Sequence, residues 1–206
     1  METSRPGLQR RWAGSAVGMA RASEPRTIAR SLLVLGGARS GKSAYAQRLA
    51  EAHGPERLYL ATAAAGDEEM AARIARHQAH RGQGWTTLEE PIEVSAALLA
   101  HTQADRVVVV DCLTLWLSNL MLAGRDPDPA LTALAEAMGR LTGPAILVSN
   151  EVGMGIVPDH KLGREFRDWQ GRANREIGAA CDVVIFVAAG LPLQLKPSTT
   201  PSVQLG

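Results

Sequence analysis

The stretch Leu32-Leu33-Val34-Leu35-Gly36-Gly37-Ala38-Arg39-Ser40-Gly41-Lys42-Ser43 runs from four apolar residues into a glycine-rich turn that ends on a lysine and a hydroxyl. Its last eight residues fit the P-loop pattern G-x-x-x-x-G-K-[ST] without a mismatch, and they lie between a strand-like run and a helix-like one, the context the pattern requires. The chemistry follows from the residue types. Glycines let the backbone turn tightly so that successive N–H groups converge on phosphate oxygens, and the helix that follows adds the positive end of its dipole. Lys42 is placed to neutralise the β- and γ-phosphates of a nucleoside triphosphate, and the Ser43 hydroxyl to ligate Mg²⁺.

Outward from this stretch, short apolar runs alternate with longer helical patterns. Residues 31–35, 58–62, 106–110, 145–149 and 183–188 read as strands apolar on both faces, with a short extra strand at 85–88 after the turn glycines Gly82 and Gly84. Residues 42–52, 67–80, 92–101, 113–122, 129–141 and 162–180 read as helices. Strands buried on both faces and separated by helix-length segments predict an α/β fold, a three-layer sandwich of the P-loop NTPase type with a mostly parallel sheet.

The 206 residues, 46% hydrophobic, suffice for one sizeable core, placed at residues 31–190. Residues 1–30 carry Arg5, Arg10, Arg11, Arg21, Arg26 and Arg30 against Glu2 and Glu24 and predict a disordered basic extension. A transit peptide shares that composition, but a floppy extension, or a gene start at Met19, fits it better. Residues 191–206, rich in Pro, Ser and Thr, read as an irregular tail. A net charge of +1 and 4% aromatic residues offer neither a field nor a stacking platform for nucleic acid. No apolar run approaches the ~20 residues that cross a bilayer and no secretory signal core is present, so a cytoplasmic protein is expected, without a membrane partner. Cys112 and Cys181 lack the spacing of a zinc or redox pair and read as buried free thiols.

Two further acids stand at strand ends. Asp111 closes the run Val107–Val110, at the carboxyl edge where open parallel sheets bind ligands. It fits a Mg²⁺ or nucleotide contact better than the alternatives, a helix N-cap or a solvated strand end. Glu151 follows Asn150 at the end of another apolar run. In the helical pattern 67–80, Met70, Ile74 and His77 share a face, with His80 one turn on. Neutral imidazole is a competent nucleophile toward phosphorus, and this spacing does not separate the two histidines.

The P-loop, Tyr-Leu-Ala-Thr at 59–62, Asp-Glu-Glu-Met-Ala-Ala-Arg-Ile at 67–74, and above all Asn-Glu-Val-Gly-Met-Gly-Ile-Val-Pro at 150–158 resemble the bifunctional adenosylcobinamide kinase/adenosylcobinamide-phosphate guanylyltransferases. The pattern continues through Arg164, Phe166 and Arg167 into Gly171-Arg172-Ala173-Asn174, and the likeness runs from about Leu32 to Ala188. The resemblance implies two reactions: phosphorylation of the aminopropanol hydroxyl of adenosylcobinamide by ATP or GTP, then transfer of GMP from GTP to that phosphate with release of pyrophosphate. It also implies Mg²⁺, a homo-oligomer that is often a trimer, and a guanylyl-histidine intermediate. Register with Ala72-Arg73-Ile74 places that histidine at His77, with His80 in the adjoining nucleotide-contacting segment. By the same alignment, Ala61, Thr62, Ala63, Gln78, Ala79, His80, Arg81, Glu89 and Asp111 contact nucleotide alongside Gly36, Gly37, Ala38, Arg39, Ser40, Gly41, Lys42 and Ser43. Glu89, beside Glu90, also fits a plain solvated acid. Narrower readings are a P-loop small-molecule kinase, a guanylyltransferase alone, or a nucleotide-binding switch, which would leave the segment 150–158 without a role.

Overall fold

A computed structural model describes residues 29–63 and 82–197. The phosphate-loop stretch folds as expected: strand β1 (Ser31–Gly36), the loop, then helix α1 (Lys42–His53). The chain continues through β2 (Glu56–Ala61), β3 (Trp85–Glu89), α2 (Val94–His101), β4 (Arg106–Asp111), α3 (Leu113–Leu122) and α4 (Pro127–Met138). It ends with β5 (Ala145–Asn150), α5 (Lys161–Ala180), β6 (Val183–Ala188) and β7 (Leu191–Lys196). The expected helix over 67–80 lies outside the described residues, as do most of the basic extension and the last nine residues.

The strands form one sheet in the order β3-β2-β4-β5-β1-β6-β7. All pairs are parallel except β6 with β7. Alternation sends the two faces of each central strand into separate cores. Leu33, Leu58, Leu60, Val108, Val110 and Leu147 pack with Leu98, Trp116, Leu120, Leu134 and Ile177 from α2–α5. Val34, Tyr59, Val107, Val109, Ile146 and Val148 pack on the other face with Ala46 and Ala50 of α1. This is the three-layer α/β sandwich read from the sequence, and both core clusters are dry enough to leave their strand residues almost without solvent contact.

One expectation is corrected. Leu191–Lys196, read as the start of an irregular tail, is a strand antiparallel to β6. Pro192 is tolerated because β7 is the sheet's edge, where one side of a strand needs no ladder donors. Lys196 fastens its far end by donating from Nζ to the carbonyls of Ala179 (2.6 Å) and Cys181 (2.5 Å) at the end of α5, where a cation also meets the negative pole of the helix. Smaller shifts concern helix starts: α4 begins at Pro127, with Asp126 as N-cap accepting from the Asp128 N–H, rather than at Pro129. Cys112 and Cys181 are buried free thiols, as read from the sequence. Burial, reinforced for Cys112 by the Asp111 carboxylate, pushes Cys112 up to about 11, and burial pushes Cys181 up to about 12, so neither is a thiolate at neutral pH. Among the described residues no helix is long and apolar enough to cross a membrane.

Candidate active site

Parallel pairing brings the carboxyl ends of β3, β2, β4, β5 and β1 to one edge of the sheet. The register places Glu89 beside Ala61, Ala61 beside Asp111, and Asn150 beside Gly36. Residues scattered between positions 36 and 150 thus share a single rim, which is where the β-to-α loops of such sheets bind ligands.

The phosphate loop bridges β1 and α1 at the middle of this rim. Its backbone is unusual at two points, Arg39 with φ 56° and Gly41 with φ 95°. At Gly36 a Cβ would lie 2.5 Å from both Ser40 Oγ and the Val187 carbonyl, so the loop closes onto the strand end with no room for a side chain. Lys42, buried at the first position of α1, donates from Nζ to the Gly37 carbonyl at 3.2 Å and so reaches back over the loop. Ser43 follows on α1, half-buried, while Ala38 and Arg39 are exposed at the loop's tip. Ser40 Oγ, buried inside the loop, meets no hydrogen-bond partner among the described residues.

Asp111 ends β4, separated from β1 by the inserted β5. Its Oδ2 accepts from the Tyr59 hydroxyl at 2.9 Å, which orients the carboxylate. The N-cap of α3 is Cys112, not Asp111, so the capping alternative does not hold. Ser43 and Asp111 supply hard oxygen donors of the kind Mg²⁺ takes in small number, leaving the rest of its octahedron to water and phosphate. Among the described residues no group of three or more His, Cys, Asp or Glu side chains gathers as a self-sufficient metal site.

The remaining expected contacts divide. Ala61 is buried at the end of β2, Ala63 is half-buried just beyond it, and Glu89 is exposed on the edge strand. Thr62 is fully buried, and its hydroxyl both donates to the Cys112 carbonyl and accepts from the Cys112 N–H at 2.8 Å. That side chain joins the ends of β2 and β4. His77, Gln78, Ala79, His80 and Arg81 lie outside the described residues.

The segment 150–158 leaves β5 beside the phosphate loop, where the Glu151 N–H donates to the Gly36 carbonyl at 3.1 Å. Glu151 Oε1 accepts from the Gly153 N–H at 2.6 Å, and Arg167 Nη2 from α5 donates to the Gly153 carbonyl at 2.5 Å. Arg164 reaches the Pro158 and Asp159 carbonyls. Below the loop, Gln170 donates to Ser149 Oγ and Asn174 Oδ1, Ser149 donates to Asn174 Oδ1, and Asn174 donates to the Asn150 carbonyl. Of the residues noted in the sequence, Arg164, Arg167 and Asn174 thus hold the segment 150–158, while Arg172 pairs with Asp128 and Glu176 instead. Ser149 and Gln170 were not singled out, since a serine in an apolar strand and a glutamine in a polar helix carry no signal until the two elements are packed. Met154 and Ile156 stand in solvent on the loop held this way.

The family described as "CobU: Cobinamide kinase / cobinamide phosphate guanyltransferase" matches residues 32–195. A "Bifunctional adenosylcobalamin biosynthesis protein CobP" of Pseudomonas aeruginosa is 50% identical over 167 residues, covering 80% of this chain and 96% of its own. A "Bifunctional adenosylcobalamin biosynthesis protein CobU" of Salmonella typhimurium is 38% identical over 180 residues, covering 80% of this chain and 99% of its own. Among solved structures, the RadB recombinase aligns at a TM-score of 0.45 and 13% identity over 76% of this chain and 73% of that one. With the family's match spanning the sheet from β1 into β7, this chain belongs to the cobinamide kinase/cobinamide phosphate guanyltransferase family.

Proposed function

We propose that this protein is a bifunctional transferase of adenosylcobalamin biosynthesis, phosphorylating adenosylcobinamide and then transferring GMP from GTP to adenosylcobinamide phosphate with release of pyrophosphate. The observation that carries the reading is the junction at the rim, where the phosphate loop and the segment 150–158 meet through the Glu151 N–H and the Gly36 carbonyl. This supports reading the nucleotide-binding loop and the family's most specific segment as parts of one site.

In the kinase step, ATP or GTP places its phosphates among the loop amides. Lys42 stabilises charge on the transferred phosphoryl, so catalysis is mostly positioning and electrostatics. Ser43 and Asp111 would hold Mg²⁺, which when bound neutralises phosphate charge. In the transfer step, neutral His77 attacks the α-phosphorus of GTP, the bond to pyrophosphate breaks, and the cobinamide phosphate then takes the guanylyl group from the histidine. The remaining candidates, Ala61, Ala63, Gln78, Ala79, His80, Arg81 and Glu89, line the nucleotide's path in this reading. The protein works in the cytoplasm as a homo-oligomer, a trimer by family resemblance.

Incubation with α-³²P-labelled GTP and Mg²⁺, followed by denaturation, tests the intermediate. Wild type is expected to carry acid-labile, alkali-stable label, and His77→Ala none. Label retained by His77→Ala would assign the nucleophile to another residue, His80 first, and no label on either protein would reduce the reading to a plain kinase.

A further inference from the structure

The turn between β6 and β7 lies about 150 residues after the phosphate loop in sequence, yet it touches the loop's backbone. The Gly190 N–H donates to the Ser40 carbonyl at 2.8 Å. A Cβ built on Gly41 would stand 3.3 Å from Gly190 Cα, so the two backbones are in contact. The Ser40 carbonyl and the Gly41 N–H belong to one planar trans peptide and point in opposite directions. A donor that holds this carbonyl outward therefore aims the Gly41 N–H inward, where a phosphate oxygen would sit.

This tie falls where the loop is least self-supporting. Arg39, just before the peptide, has φ 56°, a left-handed conformation that a non-glycine residue keeps only where its surroundings over-determine it, and Gly41 at φ 95° adopts its own because it lacks a Cβ. A rotation of the Ser40–Gly41 peptide would exchange a donor for a carbonyl facing the anion. The turn that prevents it is itself held at both ends: β6 is paired with β1, Val187 opposite Gly36, and Lys196 clasps the end of α5.

We propose that the β6–β7 turn is a positioning element of the nucleotide site, with Gly190 orienting the Ser40–Gly41 peptide so that its N–H faces the bound phosphates. Gly190 touches no reacting atom. Its contribution is pre-organisation, which appears in nucleotide affinity because a loop that must be reordered on binding binds more weakly.

Gly190 has φ 78°, and a Cβ there would meet nothing within 4 Å, so substitutions differ in backbone tolerance and not in fit. Asn visits positive φ readily, whereas a β-branched residue does not. Dissociation constants for Mg·GTP are measured on Gly190→Val, Gly190→Asn and Val184→Ala, below the melting temperature of each. Val184→Ala removes buried volume further back in β6 and reports the effect of lost stability alone. Gly190→Val is expected to weaken GTP binding roughly fivefold or more, while Gly190→Asn and Val184→Ala stay within about twofold of wild type. Unchanged affinity in Gly190→Val overturns the proposal, as does an equal loss in Gly190→Asn or Val184→Ala. Should Gly190→Val not fold, Gly190→Ala applies the same test with a milder backbone penalty.

Discussion

The Thr62 hydroxyl exchanges hydrogen bonds with both the N–H and the carbonyl of Cys112 in a place without solvent. Family resemblance puts Thr62 among the nucleotide contacts, but its side chain is spent on the residue next to Asp111. It thereby fixes where β4 ends and where the Asp111 carboxylate begins. Thr62→Val keeps the volume and removes both bonds, leaving the buried Cys112 amide without this partner while its carbonyl still accepts from the Trp116 N–H. The expected cost is about 1–3 kcal/mol in urea unfolding, since unsatisfied buried groups lose their full solvation. Thr62→Ser retains the hydroxyl and should recover most of that loss. Equal destabilisation by the two variants would mean that the methyl group matters more than the hydrogen bonds.

At the scale of elements, α5 is the frame of the segment 150–158. Arg167, Gln170 and Asn174 lie along one side of it, and between them reach the Gly153 carbonyl, Ser149 and the Asn150 carbonyl. The loop carries exposed Met154 and Ile156, so its order rests on these contacts, on Arg164 and on the Glu151 carboxylate that accepts from the Gly153 N–H. Arg167→Ala should therefore loosen the loop selectively. Amide exchange at Gly153 and Gly155 is expected to quicken roughly tenfold or more, as loss of a charge-assisted hydrogen bond allows. The amides of Leu33 and Val34 in β1 should exchange as in wild type. Acceleration spread equally over β1 would show that Arg167 supports the whole fold. Sequence reading found α5 by its strong helical periodicity, α1 by its place after the glycine-rich loop, and the strands because burial on both faces leaves a continuous apolar run. It missed β7, whose exposed Leu191, Leu193 and Leu195 beside Pro192 look like tail when the stabilising contacts, the β6 ladder and the Lys196 clasp, come from elsewhere. It singled out Lys42 and Ser43 as candidates from a local pattern. The roles of Thr62 and Gly190 depend on contacts across 50 and 150 residues, and no local pattern records those.

Over the whole molecule, the order of strands is the property that sequence leaves open, because each parallel strand is apolar and could sit in any central place. The structure inserts β5 between β1 and β4, which sets Asn150 and Glu151 between the phosphate loop and Asp111. At the opposite edge of the sheet the same arrangement is fastened by Asp182, just before β6, which accepts from the N–H groups of Arg30 and Ser31 and from the Ser31 hydroxyl on one oxygen. Desolvation alone would raise this carboxyl, but the hydrogen bonds from Ser31 and Arg30, with the charge of Lys196, outweigh it and hold it below the usual carboxylate range. A depressed folded-state value means that the ionised form favours the native protein. That stability is complete above the unfolded carboxylate value of about 3.9 and is shed as pH falls through the lower folded value. Asp182→Asn should therefore melt below wild type at pH 7, and the gap between the two melting temperatures should close as pH falls below about 3.9. Because Asp182 is largely exposed, water screens part of the effect, and the gap at neutral pH should be modest. A gap that stayed constant down to acid pH would assign the loss to altered hydrogen-bond geometry at Ser31 and not to the carboxylate charge.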